Sequence, residues 1–265
     1  MKSLYTSLLC CIALFLTFSC TSTETVAPLK NCTTYTKSNA VMRPGETCTA
    51  IHANLANYAV IGQIWGMPSK FWPQHSTIKV KFFYGTNIKK YETWERFKTI
   101  QSLTNIKFER VEEGNSDIRV AFAPQEGHWS YIGTDNLHIP QSKKTMNIGL
   151  DDNDSSLEYD RVCLHEILHA LGFMHELQSK NVTINWDVPK VIAYYKKTQG
   201  WDEAQTRSQV LDYYNGTDFH GTEFDPNSIM CYPVPPELTL DGLAIGWNYK
   251  ITKCDEKFIR SVYPK

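Results

Sequence analysis

The sequence predicts an α+β fold: a mixed layer of strands and one helix, then a long second helix, then an irregular, mostly helical region. Three observations predict it. Between residues 76 and 150, stretches that alternate apolar and polar residues are interleaved with one stretch of helical spacing. From about Ser155 to Leu171 an apolar stripe of Leu164, Ile167, Leu168 and Leu171 recurs at helical period. Beyond His175 the periodicity stays helical and is broken by glycine and proline. The 265 residues suit one domain of ordinary size with extra segments.

Taken in order, residues 1–19 read as a signal peptide. Lys2 supplies a positive start, and LLCCIALFLTF (8–18) is an apolar run too short to span a bilayer. Ser19-Cys20 closes that run and resembles a bacterial lipoprotein cleavage site, followed at once by the polar tether TSTETVAPLKN. Cys20 is therefore expected to carry a lipid anchor, with free secretion as the alternative. Residues 20–69 are read as tether and pre-domain segment, with a helical stretch near IHANLANYAV, and 70–265 as the main domain. STIKVKFFYG (76–85) reads as a strand ending at glycine. YETWERFKTIQSL (91–103) reads as a helix whose apolar positions are Tyr91, Trp94, Phe97 and Ile100. NIKFERVEE (105–113), SDIRVAFA (116–123) and KTMNIGL (144–150) read as further strands. WDVPKVIAYYKKTQG (186–200) is a helix with Asp187 at its cap and glycine at its stop. WDEAQTRSQVLDYY (201–214) and DEKFIRSVY (255–263) are helical, and FDPNSIMCYPVPPELTL (224–240) is a proline-punctuated loop.

The stretch HEILHALGFMHE (165–176) carries the chemistry. Four residues on a helix turn about 400°, so His165 and His169 share a face one turn apart and can hold one metal ion. Glu166 flanks that site and suits a base acting on a metal-bound water. His175 lies six residues beyond His169, about 600° on a continuing helix, so the helix must stop and the chain must turn. Gly172 stands where a left-handed, helix-ending residue is needed. Three neutral histidines leave an open position on zinc, the mark of a catalytic site. An amphipathic helix with scattered histidines would share the apolar stripe, but it does not account for three histidines, a glutamate and a glycine at set spacing.

Net charge is −1 and no basic block or basic-aromatic pattern is present, which sets nucleic-acid binding aside. Export permits disulfides, and five cysteines follow Cys20: Cys32, Cys48, Cys163, Cys231 and Cys254. Cys32 with Cys48, and Cys163 with Cys254, are the candidate pairs. The sequence PGETC (44–48) also puts a thiol ahead of the main domain, where Cys48 is a candidate zinc ligand that would block the site. Asp151, Asp152 and Asp154 are read as a solvated loop, with calcium binding as the alternative, and His52, His75, His128, His138 and His220 as isolated surface or satisfied residues.

HEILHALGFMH followed by SIMCY (228–232) matches the pattern HExxHxxGxxH plus a methionine turn, that of the metzincin zinc endopeptidases. Within that clan the chain resembles the astacin family, especially its bacterial members. Glu176 after the third histidine, NVTINW (181–186), HWSYIG (128–133) and the tyrosine two residues past the methionine carry this narrower resemblance. It implies His165, His169 and His175 as ligands of one zinc ion and Glu166 as general base and acid. It implies Met230 as a hydrophobic floor below the metal, and Tyr232 as an additional ligand that swings away to stabilise the transition state. Glu176 would contact the matured N-terminus, KTMNIGL would be the edge strand on which substrate lies, and a propeptide would keep the enzyme latent. The fold would pair an upper subdomain of twisted sheet and two helices with an irregular lower one. The expected protein is an exported zinc endopeptidase, a monomer acting on proteins or peptides and touching membrane only through its anchor. A catalytically silent surface lipoprotein using the same fold for binding or adhesion is the alternative, and the intact Glu166 argues against it. Cys231 beside the site is read as a small buried hydrophobe, with metal binding or oxidation as the other reading.

Overall fold

The computed structural model describes residues 48–51, 67–178, 182, 184–213 and 224–265. The segments read as signal peptide and tether, with Cys20, lie outside the described residues, as does most of IHANLANYAV. The strands are β1 (Cys48–Ile51), β2 (Thr77–Phe82), β3 (Lys107–Arg110), β4 (Ile118–Ala121), β5 (His128–Tyr131) and β6 (Met146–Asn147). The helices are α1 (Asn87–Leu103), α2 (Ser156–Ala170), α3 (Val188–Gln199), α4 (Glu203–Thr206) and α5 (Lys253–Val262). A π-helical turn, Arg207–Leu211, continues α4 where one longer helix was expected. Among the described residues, no helix is long and apolar enough to cross a membrane.

One sheet runs β1-β5-β6-β4-β2-β3. β5 and β6 pair antiparallel, and the other neighbours pair parallel. In β2 the alternation holds: Ile78, Val80 and Phe82 are buried while Thr77 and Lys79 face out. All four residues of the central β4 are buried, as a strand covered on both faces requires. α1 begins a turn earlier than its apolar spacing suggested, because the Thr86 hydroxyl caps it by accepting from Lys89 N. Its Tyr91 is exposed, and Phe97 and Ile100 face the core. The buried Arg96 ties α1 to α2: its Nε donates to Asp160 at 2.9 Å and its Nη2 to the Ser156 carbonyl at 2.9 Å.

Two apolar cores result. The first lies between the sheet, α1, α2 and α5 and includes Ile78, Val80, Phe97, Ile118, Ile167, Leu168 and Met230. The second fills the lower region and includes Val191, Tyr195, Trp201, Val210, Tyr232 and Val234. α2 separates them, so every residue from Val162 to Ala170 is buried and not just its apolar stripe.

The structure corrects three expectations. KTMNIGL is not an edge strand, since β6 is hydrogen-bonded to β4 on one side and β5 on the other. β5, a strand absent from the sequence reading, takes the outer position and receives β1 in parallel, with Cys48 opposite His128. Neither candidate disulfide forms, because Cys48 and Cys163 are free. Cys254 is disulfide-bonded.

Candidate metal centre and active-site cleft

Two local structures position the three histidines. The first is the end of α2. Phe173 N donates to the Leu168 carbonyl at 3.0 Å and Gly172 N to the His169 carbonyl at 2.8 Å, a Schellman pair closed by Gly172 at φ +99°. The same turn aims the Phe173 carbonyl at His169 Nδ1, 2.7 Å away. The second is the methionine turn. Its Ile229 carbonyl lies 2.8 Å from His165 Nδ1, and its Met230 carbonyl accepts from Glu176 N at 2.9 Å. A carbonyl at Nδ1 requires the proton there and leaves Nε2 as the bare ligand nitrogen. Met230 is fully buried in the first core.

One ligand atom from each of His165, His169, His175 and Cys48 lies within 4.8 Å of the others. His169 Nε2 and His175 Nε2 are 2.9 Å apart. His165 Nε2 and Glu166 Oε1 are both buried without a hydrogen-bond partner. Burial pushes the His165 imidazole down to about 4, so it is neutral at physiological pH, the form that binds metal. The donor set of three imidazole nitrogens and a thiol suits zinc. Burial also pushes the Glu166 carboxyl up to about 8, against the opposing pull of Cys48 and Arg161.

The pre-domain strand sits directly over this cluster. Cys48 Sγ donates to Glu166 Oε2 at 3.2 Å, and the Tyr232 hydroxyl donates to the Cys48 carbonyl. The Tyr232 ring lies 4.4 Å, centroid to centroid, from that of His175. The structure thus brings together His165, Glu166, His169, His175, Tyr232 and Cys48, with Gly172 and Met230 in supporting positions. Glu176 is buried and its Oε1 accepts from Asp225 N at 2.7 Å. Cys231 is buried, and its thiol reaches its neighbour's carbonyl at 3.5 Å, not the histidine cluster. Cys20 lies outside the described residues.

The structure adds three residues to the surroundings of the site. His128, read from the sequence as a surface or satisfied histidine, is satisfied and buried in the cleft wall: its Nδ1 accepts from Gly149 N at 3.0 Å, and burial holds its pKa down near 3. Arg161, one turn before His165, lines the same cleft. Asp255, in the first turn of α5, accepts from the Ser228 hydroxyl at 2.7 Å and Ile229 N at 3.0 Å, and so fixes the turn whose carbonyl orients His165. Only the spacing of Thr252 and Asp255, a capping-box pattern, hinted at the last.

The fold and this site define a zinc metallopeptidase of metzincin architecture. The chain belongs to the astacin family: residues 66–264 match the model of that peptidase family, described as Astacin. It is similar to myroilysin, a structure matched at TM-score 0.74 and 35% identity over 76% of this chain and 98% of that one. High choriolytic enzyme 1, a hatching enzyme zinc-protease of the medaka fish Oryzias latipes, matches at TM-score 0.50 and 15% identity over 74% of this chain and 94% of that one, and shares the fold. Zinc metalloproteinase nas-23 of Caenorhabditis elegans is 33% identical over 118 residues, which is 44% of this chain and 19% of that protein.

Proposed function

We propose that the protein is an exported zinc endopeptidase, held latent by its own pre-domain strand, that hydrolyses peptide bonds with Glu166 as general base and acid. The observation that carries this reading is the cluster itself: Glu166 is buried beside three histidine ligand atoms, with Cys48 Sγ 3.2 Å from its carboxylate. Zinc, when bound by His165, His169 and His175, supplies a Lewis acid that polarises the scissile carbonyl and acidifies a water. Glu166 takes the proton of the attacking water and delivers it to the leaving amine. The Tyr232 hydroxyl, once it loses the Cys48 carbonyl, is free to donate to the developing oxyanion. Met230 packs beneath the histidines, and Glu176, whose backbone is tied to the methionine turn, is positioned to receive a matured N-terminus.

Substrate takes the place of β1. At the cleft side of the sheet, the outer edge of β5 offers unpaired backbone groups when β1 leaves, whereas β6 is bonded on both sides. A peptide added there is held by main-chain hydrogen bonds, a mode that tolerates many sequences. Latency has two parts: β1 fills that edge, and the Cys48 thiol offers zinc a fourth protein donor. In this reading the protein acts as a monomer on other proteins or peptides, and Cys20 anchors it to the cell envelope. Palmitate labelling that appears in the wild type and vanishes in Cys20→Ser supports the anchor, and no labelling in either returns the chain to free secretion.

The central test is Glu166→Ala after limited trypsin treatment. Casein cleavage should fall by roughly 10^2- to 10^4-fold while zinc content stays at one ion per chain. Retained cleavage, or loss of zinc, would count against Glu166 as the base. A chelator should abolish the wild-type activity. For latency, Cys48→Ala in the untreated full chain should raise basal cleavage by about 10-fold or more. A variant as silent as the untreated wild type would remove the thiol from the mechanism.

A further inference from the structure

We propose that Trp72 and Tyr263 are positioning residues for the zinc ion: together they fix the turn between the second and third histidine ligands, and so set how tightly the metal is held. The inference rests on the peptidase reading above and adds to it two residues that act through the backbone at the end of α2.

A helix leaves its last carbonyls without intrahelical partners, and those that are buried need donors from elsewhere. In α2 this need falls on the stretch between His169 and His175. The Leu168 and His169 carbonyls are taken by the turn's own amides. The next three are each met by a donor from outside the helix. Ala170 O accepts from Trp72 Nε1 at 2.8 Å, Leu171 O from the Tyr263 hydroxyl at 2.6 Å, and Gly172 O from Met67 N at 3.1 Å. The following carbonyl, of Phe173, orients His169. The Tyr263 hydroxyl also accepts from Trp72 N at 3.1 Å, so the two residues form one unit.

Both residues are buried, so water does not take over their bonds. Phe71 and Phe173 flank the Tyr263 ring at 5.7 and 6.1 Å between centroids, and Phe258 stands 5.6 Å from Phe173. Ring packing holds the phenol, and its hydroxyl fixes the backbone beside it. Without that hydroxyl, Leu171 O is buried and unpaired, and the turn relieves this only by moving. Movement there reaches two ligands. A shifted Phe173 carbonyl turns the His169 ring it orients, and a shifted chain carries His175, whose Nε2 lies 2.9 Å from that of His169. His165 is oriented separately, by the Ile229 carbonyl on the methionine turn. The lock therefore governs the geometry of two histidines against the third, which is what the affinity of a three-histidine site depends on.

The test measures zinc and not cleavage. Zinc-loaded full chains of wild type, Tyr263→Phe and Trp72→Phe are titrated with a chelator, and the melting temperature of each metal-free form is recorded. Both changes remove one donor and keep an aromatic ring. Phe258→Leu is the control, since it loosens the same aromatic cluster and removes no donor. Tyr263→Phe and Trp72→Phe should each lose roughly 10-fold or more in zinc affinity, well beyond Phe258→Leu for a similar loss of melting temperature. Cobalt in place of zinc should give a d–d spectrum that is altered in both variants and unchanged in the control. Zinc affinity and cobalt spectrum unchanged in the two variants, or affinity losses that follow melting temperature in all three, overturn the assignment and leave the peptidase standing. If one variant fails to fold, the other decides. If neither folds, the pair serves the fold as a whole, which also overturns a role specific to zinc. A wild type that binds no zinc overturns the peptidase reading and this proposal with it.

Discussion

Gly172 shows how much one residue carries at this site. Its φ of +99° lies in the left-handed region, and a Cβ there would sit 2.8 Å from Phe71 Cδ1. The turn it permits ends α2, returns His175 to the metal position and places the Phe173 carbonyl on His169. Gly172→Ala should cost about 2–4 kcal/mol, from left-handed backbone strain plus overpacking, and should weaken zinc binding as well. Thermal unfolding and zinc titration check the two effects together, and an unchanged melting temperature would refute the strain. Asp255 carries a comparable weight. Burial pushes its carboxyl up to about 6, although hydrogen bonds from Ser228, Thr252 and Ile229 pull the other way. With a folded value above the ordinary 3.8, the folded state binds the extra proton between these limits, so this group's contribution to stability falls as pH rises from about 4 to about 6. Denaturant unfolding across that range should show a downward slope in wild type that is shallower in Asp255→Asn. Equal slopes would place the titration elsewhere.

Among the elements, α2 was readable because its signals agree: Ser155 caps it, the apolar stripe repeats over its length and Gly172 stops it. β2 and α3 were readable for the same reason, with the Asp187 cap and the Gly200 stop at φ 72° bounding α3 as expected. β1 and β5 were not. Each has four residues, too few periods to stand out, and each exists through its pairing with the other or with β6. β6 shrank from an expected seven-residue stretch to two because the Asn147 side chain replaces ladder bonds with contacts to Ala123 and Gly127. The β1–β5 pairing makes a prediction at this scale. Backbone amides of 128–131 should exchange faster after proteolytic maturation, while those of 146–147, bonded on both sides, should not change. Hydrogen exchange read by mass spectrometry before and after trypsin treatment decides it. Unchanged exchange in 128–131 would mean that β1 stays in the cleft.

At the scale of the whole molecule, a covalent bond adds to the two apolar cores: Cys254 in α5 is disulfide-bonded, while Cys48, Cys163 and Cys231 are free. Reduction should therefore lower the melting temperature through Cys254, and a melting temperature unchanged by reductant would show that the bond contributes nothing to stability. The sequence by itself determined that His165, His169 and His175 come together, where the helix stops, and the α+β class, because these depend on residues close together in the chain, where helical geometry relates spacing to direction. The tertiary structure decided which strand forms the sheet edge, what sits over the metal cluster, and how Arg161 and Asp255 enter the site. Those depend on contacts between residues as far apart as Cys48 and Glu166 or Asp255 and Ile229, and no local periodicity encodes contacts made across the fold.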